Sequence, residues 1–216
     1  VSLYLLAPPQ QYGLRGQTVK CFGYDQRHMV DYQFNDLGFR SIHLQPRASL
    51  ITIGNSVTFG IGLPHTQTYA SMLADYLALP NFNASFGCWS HENHDHLHNL
   101  NLLTQRPYDD VFVIQINNLD RRRIDDTVIR NNAADWCVEH LIDFWQTAQK
   151  LLQKKRCAWI YWDDIQYDIP ACVRDHLAIN NKGCIDASLP DRSATFGPKS
   201  HKLIFSVLAQ RLTKKQ

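Results

Sequence analysis

The sequence predicts an α/β protein whose parallel sheet is covered by helices on both faces, and three observations carry that prediction. Apolar, β-branched runs at Ser49–Ile53, Asp110–Ile116 and Cys157–Trp162 read as buried strands. Helical periodicity recurs at Thr68–Leu79, Ser90–Gln105, Ala133–Lys154 and Pro198–Leu212. The two kinds of segment alternate along the chain, as parallel strands require, because each pair needs a long crossover connection.

Taken in order, residues 1–48 carry proline, glycine and aromatic residues with little periodicity, and read as an irregular arm with one short strand. Within the arm, Tyr32–Arg40 alternates apolar residues and closes on a turn at Asp36–Gly38. Arg40 has two readings: it binds an acidic substrate group, or it ties the arm to the body through carbonyls or a carboxylate. The first buried strand then runs through Gly54-Asn55-Ser56 and two further glycines, Gly60 and Gly62, into the helix at Thr68–Leu79. Asn81–Phe86 reads as a short second strand, and Ser90–Gln105 as a helix with Leu97, Leu100 and Leu103 as its stripe. Asn117–Asn132 reads as a polar, Arg-rich connection. Ala133–Lys154 is the longest helix, with Trp136, His140, Phe144 and Leu151 spaced for one face and a basic end that suits its dipole. Ile169–Ile179 reads as a helix or turn before the final helix.

With 216 residues, 44% of them hydrophobic, the chain has material for one domain spanning 1–216, with the 1–48 arm packed on its core. No run reaches membrane-spanning length, and Val1–Pro9 is too short and proline-broken for a secretory signal. The initial Val fits either loss of an initiator Met or excision from a longer protein. A formal charge of +2 argues against general nucleic-acid binding. Six scattered cysteines without a C-x-x-C pair read as reduced thiols of a cytoplasmic protein.

Chemistry is concentrated at Ser56. A hydroxyl at the carboxyl end of a buried strand, with Gly54, Gly60 and Gly62 keeping bulk away, is placed for a nucleophile. It is equally placed to cap the following helix. Ile53-Gly54-Asn55-Ser56-Val57-Thr58-Phe59-Gly60 resembles the first signature block of the SGNH (GDSL) hydrolase superfamily, with Asn55 where the family usually has Asp. The resemblance covers about residues 30–212 and implies a flavodoxin-like three-layer α/β/α sandwich with a parallel sheet. It also implies site roles, block by block. In Asn83-Ala84-Ser85-Phe86-Gly87-Cys88, Ser85 stands where the family's glycine supplies an oxyanion N–H. In Gln115-Ile116-Asn117-Asn118, Asn117 matches the second oxyanion donor, with Gln115 replacing a glycine. The segment Phe196-Gly197-Pro198-Lys199-Ser200-His201 resembles the family's final block closely. Anchored on it, the catalytic histidine position holds Thr195 and the aspartate position Arg192, with Asp191 one place early. A threonine does not accept a serine proton at neutral pH as an imidazole does.

Two places offer a substitute base: His201 at the start of the last helix, and His91 in the histidine-rich stretch 90–98. By helical spacing His91, His94 and His98 share a face, which reads either as a zinc set beside Glu92 and Asp95 or as a solvated face; the expectation is no metal. Arg121-Arg122-Arg123 reads either as a solvated charge run paired with Asp120, Asp125 and Asp126, or as a receiver for an acidic carrier or carboxylate. The resemblance implies a serine esterase, thioesterase or acyltransferase acting through a Ser56 acyl-enzyme, with Ser56, Ser85, Asn117, Asp191 and His201 as its site. The substrate would be a small acyl ester or thioester, free or carrier-bound, with no cofactor, nucleic acid or membrane partner. The alternative is a catalytically degenerate protein of the same fold that binds an acyl or glycan ligand, or a partner, without turnover.

Overall fold

The computed structural model describes residues 5, 7, 9–23, 27–87, 93–116, 121–124, 127–130, 134–161, 170–179 and 197–213. A short helix, α1 (Pro9–Tyr12), leads into an antiparallel hairpin of β1 (Thr18–Phe22) and β2 (Met29–Gln33). The arm therefore carries two paired strands where one was expected. Val30 and Tyr32 of β2 are buried against Phe59, while Thr18, Lys20, Phe22, Met29, Asp31 and Gln33 face out.

Then come β3 (Leu50–Ile53), α2 (Ser56–Phe59), α3 (Tyr69–Leu77) and β4 (Asn81–Asn83). They are followed by α4 (Leu97–Thr104), β5 (Val111–Ile116), β6 (Arg121–Ile124), β7 (Thr127–Arg130) and α5 (Ala134–Leu152). The chain closes with β8 (Arg156–Tyr161), α6 (Ala171–Arg174), β9 (Leu177–Ile179) and α7 (Pro198–Thr213). The main sheet is fully parallel in the order β4-β3-β5-β8-β9.

Alternation along the strands sorts the core into two layers. Ile51, Ile53, Phe112, Ile114, Ile116, Trp159 and Tyr161 face α4 and α5; Leu50, Val111, Val113, Ala158 and Ile160 face α3 and α7. Each fully buried Leu, Ile or Phe contributes roughly 1.5–3 kcal/mol. At the amino edge, Asp110 accepts from the Ser49 N–H (2.8 Å) and from Arg106 Nε (2.8 Å), which ties β3 to β5.

Three expectations are corrected. The polar connection after β5 contains a hairpin, β6–β7, in which Val128 and Ile129 pair with Arg123 and Arg122. The stretch 169–179 holds both a short helix and a fifth strand: Pro170 starts α6, and Leu177–Ile179 then takes its ladder from β8. Three residues carry no readable period, so that strand is set by its neighbour. The buried face of α5 is Cys137, Leu141, Phe144, Ala148 and Leu152, one position round from the face expected.

Candidate active site

Ser56 is presented by a tight strand-to-helix turn. Asn55 caps α2, its Oδ1 accepting the Val57 N–H at 3.2 Å. Gly60 ends the turn at φ 79°, where its N–H meets the Ser56 and Val57 carbonyls. Ser56 is thus the first helical residue, and it is 8% exposed. Among the described residues, neither its hydroxyl nor its N–H has a hydrogen-bond partner.

Beneath the turn lies a polar network built on Gln115. Its Oε1 accepts from the Asn55 N–H (3.3 Å), the Thr58 N–H (3.3 Å) and the Thr58 hydroxyl, while its Nε2 donates to Asn55 Oδ1. Tyr69 donates its hydroxyl to Thr58 Oγ1 at 2.8 Å, and burial pushes the Tyr69 hydroxyl pKa up, keeping it protonated. Gly54 is forced by this floor: a Cβ there would lie 2.6 Å from Gln115 Cβ and 2.7 Å from Thr58 Oγ1. In the sequence Gln115 stands out only as a departure from the family's glycine. The signal was a lone amide in the otherwise apolar run Val111–Ile116.

The arm braces the far side. Arg40, 2% exposed, donates to the carbonyls of Phe59 (3.1 Å), Gly60 (2.6 Å) and Leu63, and lies 3.8 Å over the Tyr32 ring. Of its two readings, the tie through carbonyls is the one the contacts bear out. Burial pulls its pKa down to about 10, so it stays a cation at neutral pH. Gln11 links the arm to the segment after β4, accepting the Gly87 N–H at 2.8 Å and donating to Ser85 O at 3.4 Å.

His65 follows this braced loop, and burial, then the Arg40 charge, hold its imidazole below the usual 6.5, with Asp75 opposing. An unfolded chain takes up a proton near 6.5 that the folded chain refuses. The stability due to His65 is therefore complete above 6.5 and is lost as pH falls through that value. We expect the melting temperature to fall below pH 6.5 and His65→Gln to flatten that limb; superimposable pH profiles would contradict it.

Solved structures supply the comparison. A carbohydrate esterase family 2 enzyme with a carbohydrate-binding domain, from Corynascus thermopiles (Myceliophthora fergusii), superposes with a TM-score of 0.51 at 13% identity. The match covers 76% of this chain and 65% of that one, so this chain spans less than two thirds of that enzyme. A protein of Desulfitobacterium hafniense described as lipolytic and of the G-D-S-L family matches with TM-score 0.51 and 13% identity, over 77% of this chain and 99% of its own. The chain has the SGNH hydrolase fold. Neither a protein-family model nor a curated protein sequence matches it.

Within the SGNH fold, two of the expected site residues make hydrogen bonds to other parts of the chain. The Ser85 N–H donates to Asn83 Oδ1 at 3.0 Å, and Ser85 is fully buried, so in this structure that N–H is engaged within the chain. The physical reason is Asn83, whose Nδ2 is itself anchored on Thr58 O at 2.8 Å and whose Oδ1 turns back on the chain two residues on. His201 is also committed elsewhere. Its Nδ1 accepts the Tyr69 N–H at 3.0 Å at the start of α3, and its ring stacks on Tyr69 at 5.7 Å. A neutral imidazole has one lone pair, and in this structure the Tyr69 N–H takes it.

Asn117, Asp191, Arg192, Thr195 and His91 lie outside the described residues, as do the side chains of Arg121–Arg123. β5 does end at Ile116, at the same carboxyl edge as Ile53, which is the edge that carries Ser56. Asn93–His96 is a 3-10 turn, so His94 and His98 do not keep α-helical spacing. His94 Nε2 instead meets Asp143 Oδ2 at 2.8 Å, its ring lies 4.0 Å from His140, and His98 is exposed. Among the described residues no group of three or more His, Cys, Asp or Glu side chains is placed to hold a metal.

Proposed function

We propose that the chain is a serine hydrolase or acyltransferase of the SGNH type, acting on an acyl ester or thioester through an acyl-enzyme at Ser56. The observation that carries this is the Ser56 hydroxyl itself. It stands unpartnered among the described residues at the carboxyl edge of the sheet, on a turn held rigid by Gln115, Arg40 and Asn55. In the proposed step Ser56 Oγ attacks the acyl carbonyl, and the oxyanion is met by the Ser56 N–H and the Asn117 amide. The serine proton passes to a substitute base, for which His91 is the remaining candidate, since the His201 lone pair is taken by the Tyr69 N–H. Reaction with a serine-directed fluorophosphonate tests the proposal: one label per chain, mapped to Ser56, supports it.

A second reading is favoured by the same base position. With Thr195 where the family's imidazole stands and the His201 lone pair occupied, the fold would hold an acyl or glycan ligand without turnover. Thr195→His combined with Arg192→Asp separates the two, because general-base assistance contributes about a hundred- to ten-thousand-fold. If only the base has been lost, the double variant gains hydrolysis of an activated p-nitrophenyl ester by that order. A wild-type protein that already turns over well places a working base elsewhere. A double variant that stays inert with Ser56 accessible favours the binding reading.

A further inference from the structure

The hairpin of the arm has no role in the chemistry proposed at Ser56, yet its outer face borders a groove of about 810 Å³. That is the size of a small-ligand site, for which pockets run roughly 300–1,000 Å³. It is lined by Thr18, Asp31 and Gln33 of β1 and β2 and by Ser41, His43, Gln45, His65 and Arg40. We propose that this groove binds a neutral oligosaccharide, with the exposed Phe22 as a stacking platform at one end.

Three observations converge on that ligand chemistry. The first is the donor and acceptor set. Asp31 and Asp36 accept hydroxyl protons, and the amides of Gln17, Gln33 and Gln45 each offer both a donor and an acceptor. Charges nearly balance: Lys20 is the cross-strand neighbour of Asp31, and Arg40 and Asp36 both line the groove. Burial and the Arg40 charge keep His65 neutral near pH 7. An anionic ligand would face two carboxylates, while hydroxyls meet partners on every side.

The second observation is a buried orphan. Arg40 Nη1 and Nη2 serve loop carbonyls, but its Nε–H, buried in a side chain 2% exposed, has no acceptor among the described residues. Leaving such a donor unpaired costs on the order of 1–3 kcal/mol or more, and a small shift of Arg40, which lines the groove, would bring its Nε–H to a ligand oxygen there.

The third is apolar. Phe22 is 69% exposed and Met29, its cross-strand partner, 52% exposed. They lie on the same hairpin face as Thr18 and Gln33, about 13 Å further along by strand rise. A pyranose chain has hydroxyl edges for the groove and C–H faces for an aromatic ring, so one elongated molecule satisfies both ends. An acyl chain would leave the polar wall unpaired. The inference does not depend on Ser56 acting as a nucleophile.

The test is an NMR titration of wild type and Ser56→Ala with neutral hexasaccharides of β-linked glucose, xylose and N-acetylglucosamine. Inorganic phosphate and phosphatidylcholine vesicles are the comparison probes. We expect one hexasaccharide to shift the Gln17, Gln33 and His43 resonances with a Kd of about 1 mM or tighter, equally in both proteins. Phe22→Ala and Asp31→Ala, both at exposed positions, should each weaken it about tenfold, or 1.4 kcal/mol. Silence toward all three saccharides up to about 10 mM overturns the proposal. So do shifts caused by phosphate alone, or by vesicles at Phe22 and Met29 alone, which would make the face an anion or lipid surface.

Discussion

Ser56→Ala is expected to abolish fluorophosphonate labelling and to reduce any ester turnover by on the order of 10⁴-fold or more, because the covalent step loses its only atom of attack. The fold should be indifferent to the change. The Ser56 hydroxyl makes no hydrogen bond among the described residues, and the turn is held by backbone groups and by Asn55, Gln115 and Arg40. The variant should therefore unfold within about 0.5 kcal/mol of wild type. Labelling or turnover that survives in Ser56→Ala, with circular dichroism and melting unchanged, would remove Ser56 from the chemistry altogether.

Gln115→Leu is expected to have the largest effect on stability. Leucine fills a similar volume but supplies no hydrogen bond, which orphans the Asn55 N–H, the Thr58 N–H and the Thr58 hydroxyl proton, all of which Gln115 Oε1 accepts in a buried site. Each orphaned group costs roughly 1–3 kcal/mol, so a loss of about 3 kcal/mol or more is expected. At about 2–4 °C per kcal/mol for a chain of this size, the midpoint should drop by about 6–12 °C. The rate of Ser56 labelling should fall with it, since α2 loses its floor. Gly54→Ala probes the same packing from the opposite side. Its added Cβ lies 2.6–2.7 Å from Gln115 and Thr58, inside van der Waals contact, and overpacking of this kind costs about 1–3 kcal/mol. A Gln115→Leu protein as stable and as reactive as wild type would show that the network is incidental.

What the sequence determined by itself was the order of the layers and the position of the nucleophile candidate. Long periodic segments declare themselves: α3, α5 and α7, and the apolar runs of β3, β5 and β8, all lie within a few residues of where hydrophobic spacing puts them. Gly54-Asn55-Ser56 was legible for the same local reason, since a turn at a strand end is written in its own residues.

The tertiary structure alone decided which groups are free to act. Whether the Ser85 N–H points outward depends on the Asn83 amide, and whether the His201 lone pair is available depends on the start of α3, 132 residues away in sequence. Neither residue type nor spacing carries that information, because a hydrogen bond between distant segments exists only after the sheet has brought them together. The same holds for β9, three residues whose only claim to be a strand is the free edge of β8. It holds most clearly for Gln115. In the sequence it is one polar letter inside a buried strand, and only the folded sheet places it directly under Asn55 and Thr58, where it becomes the floor of the Ser56 turn.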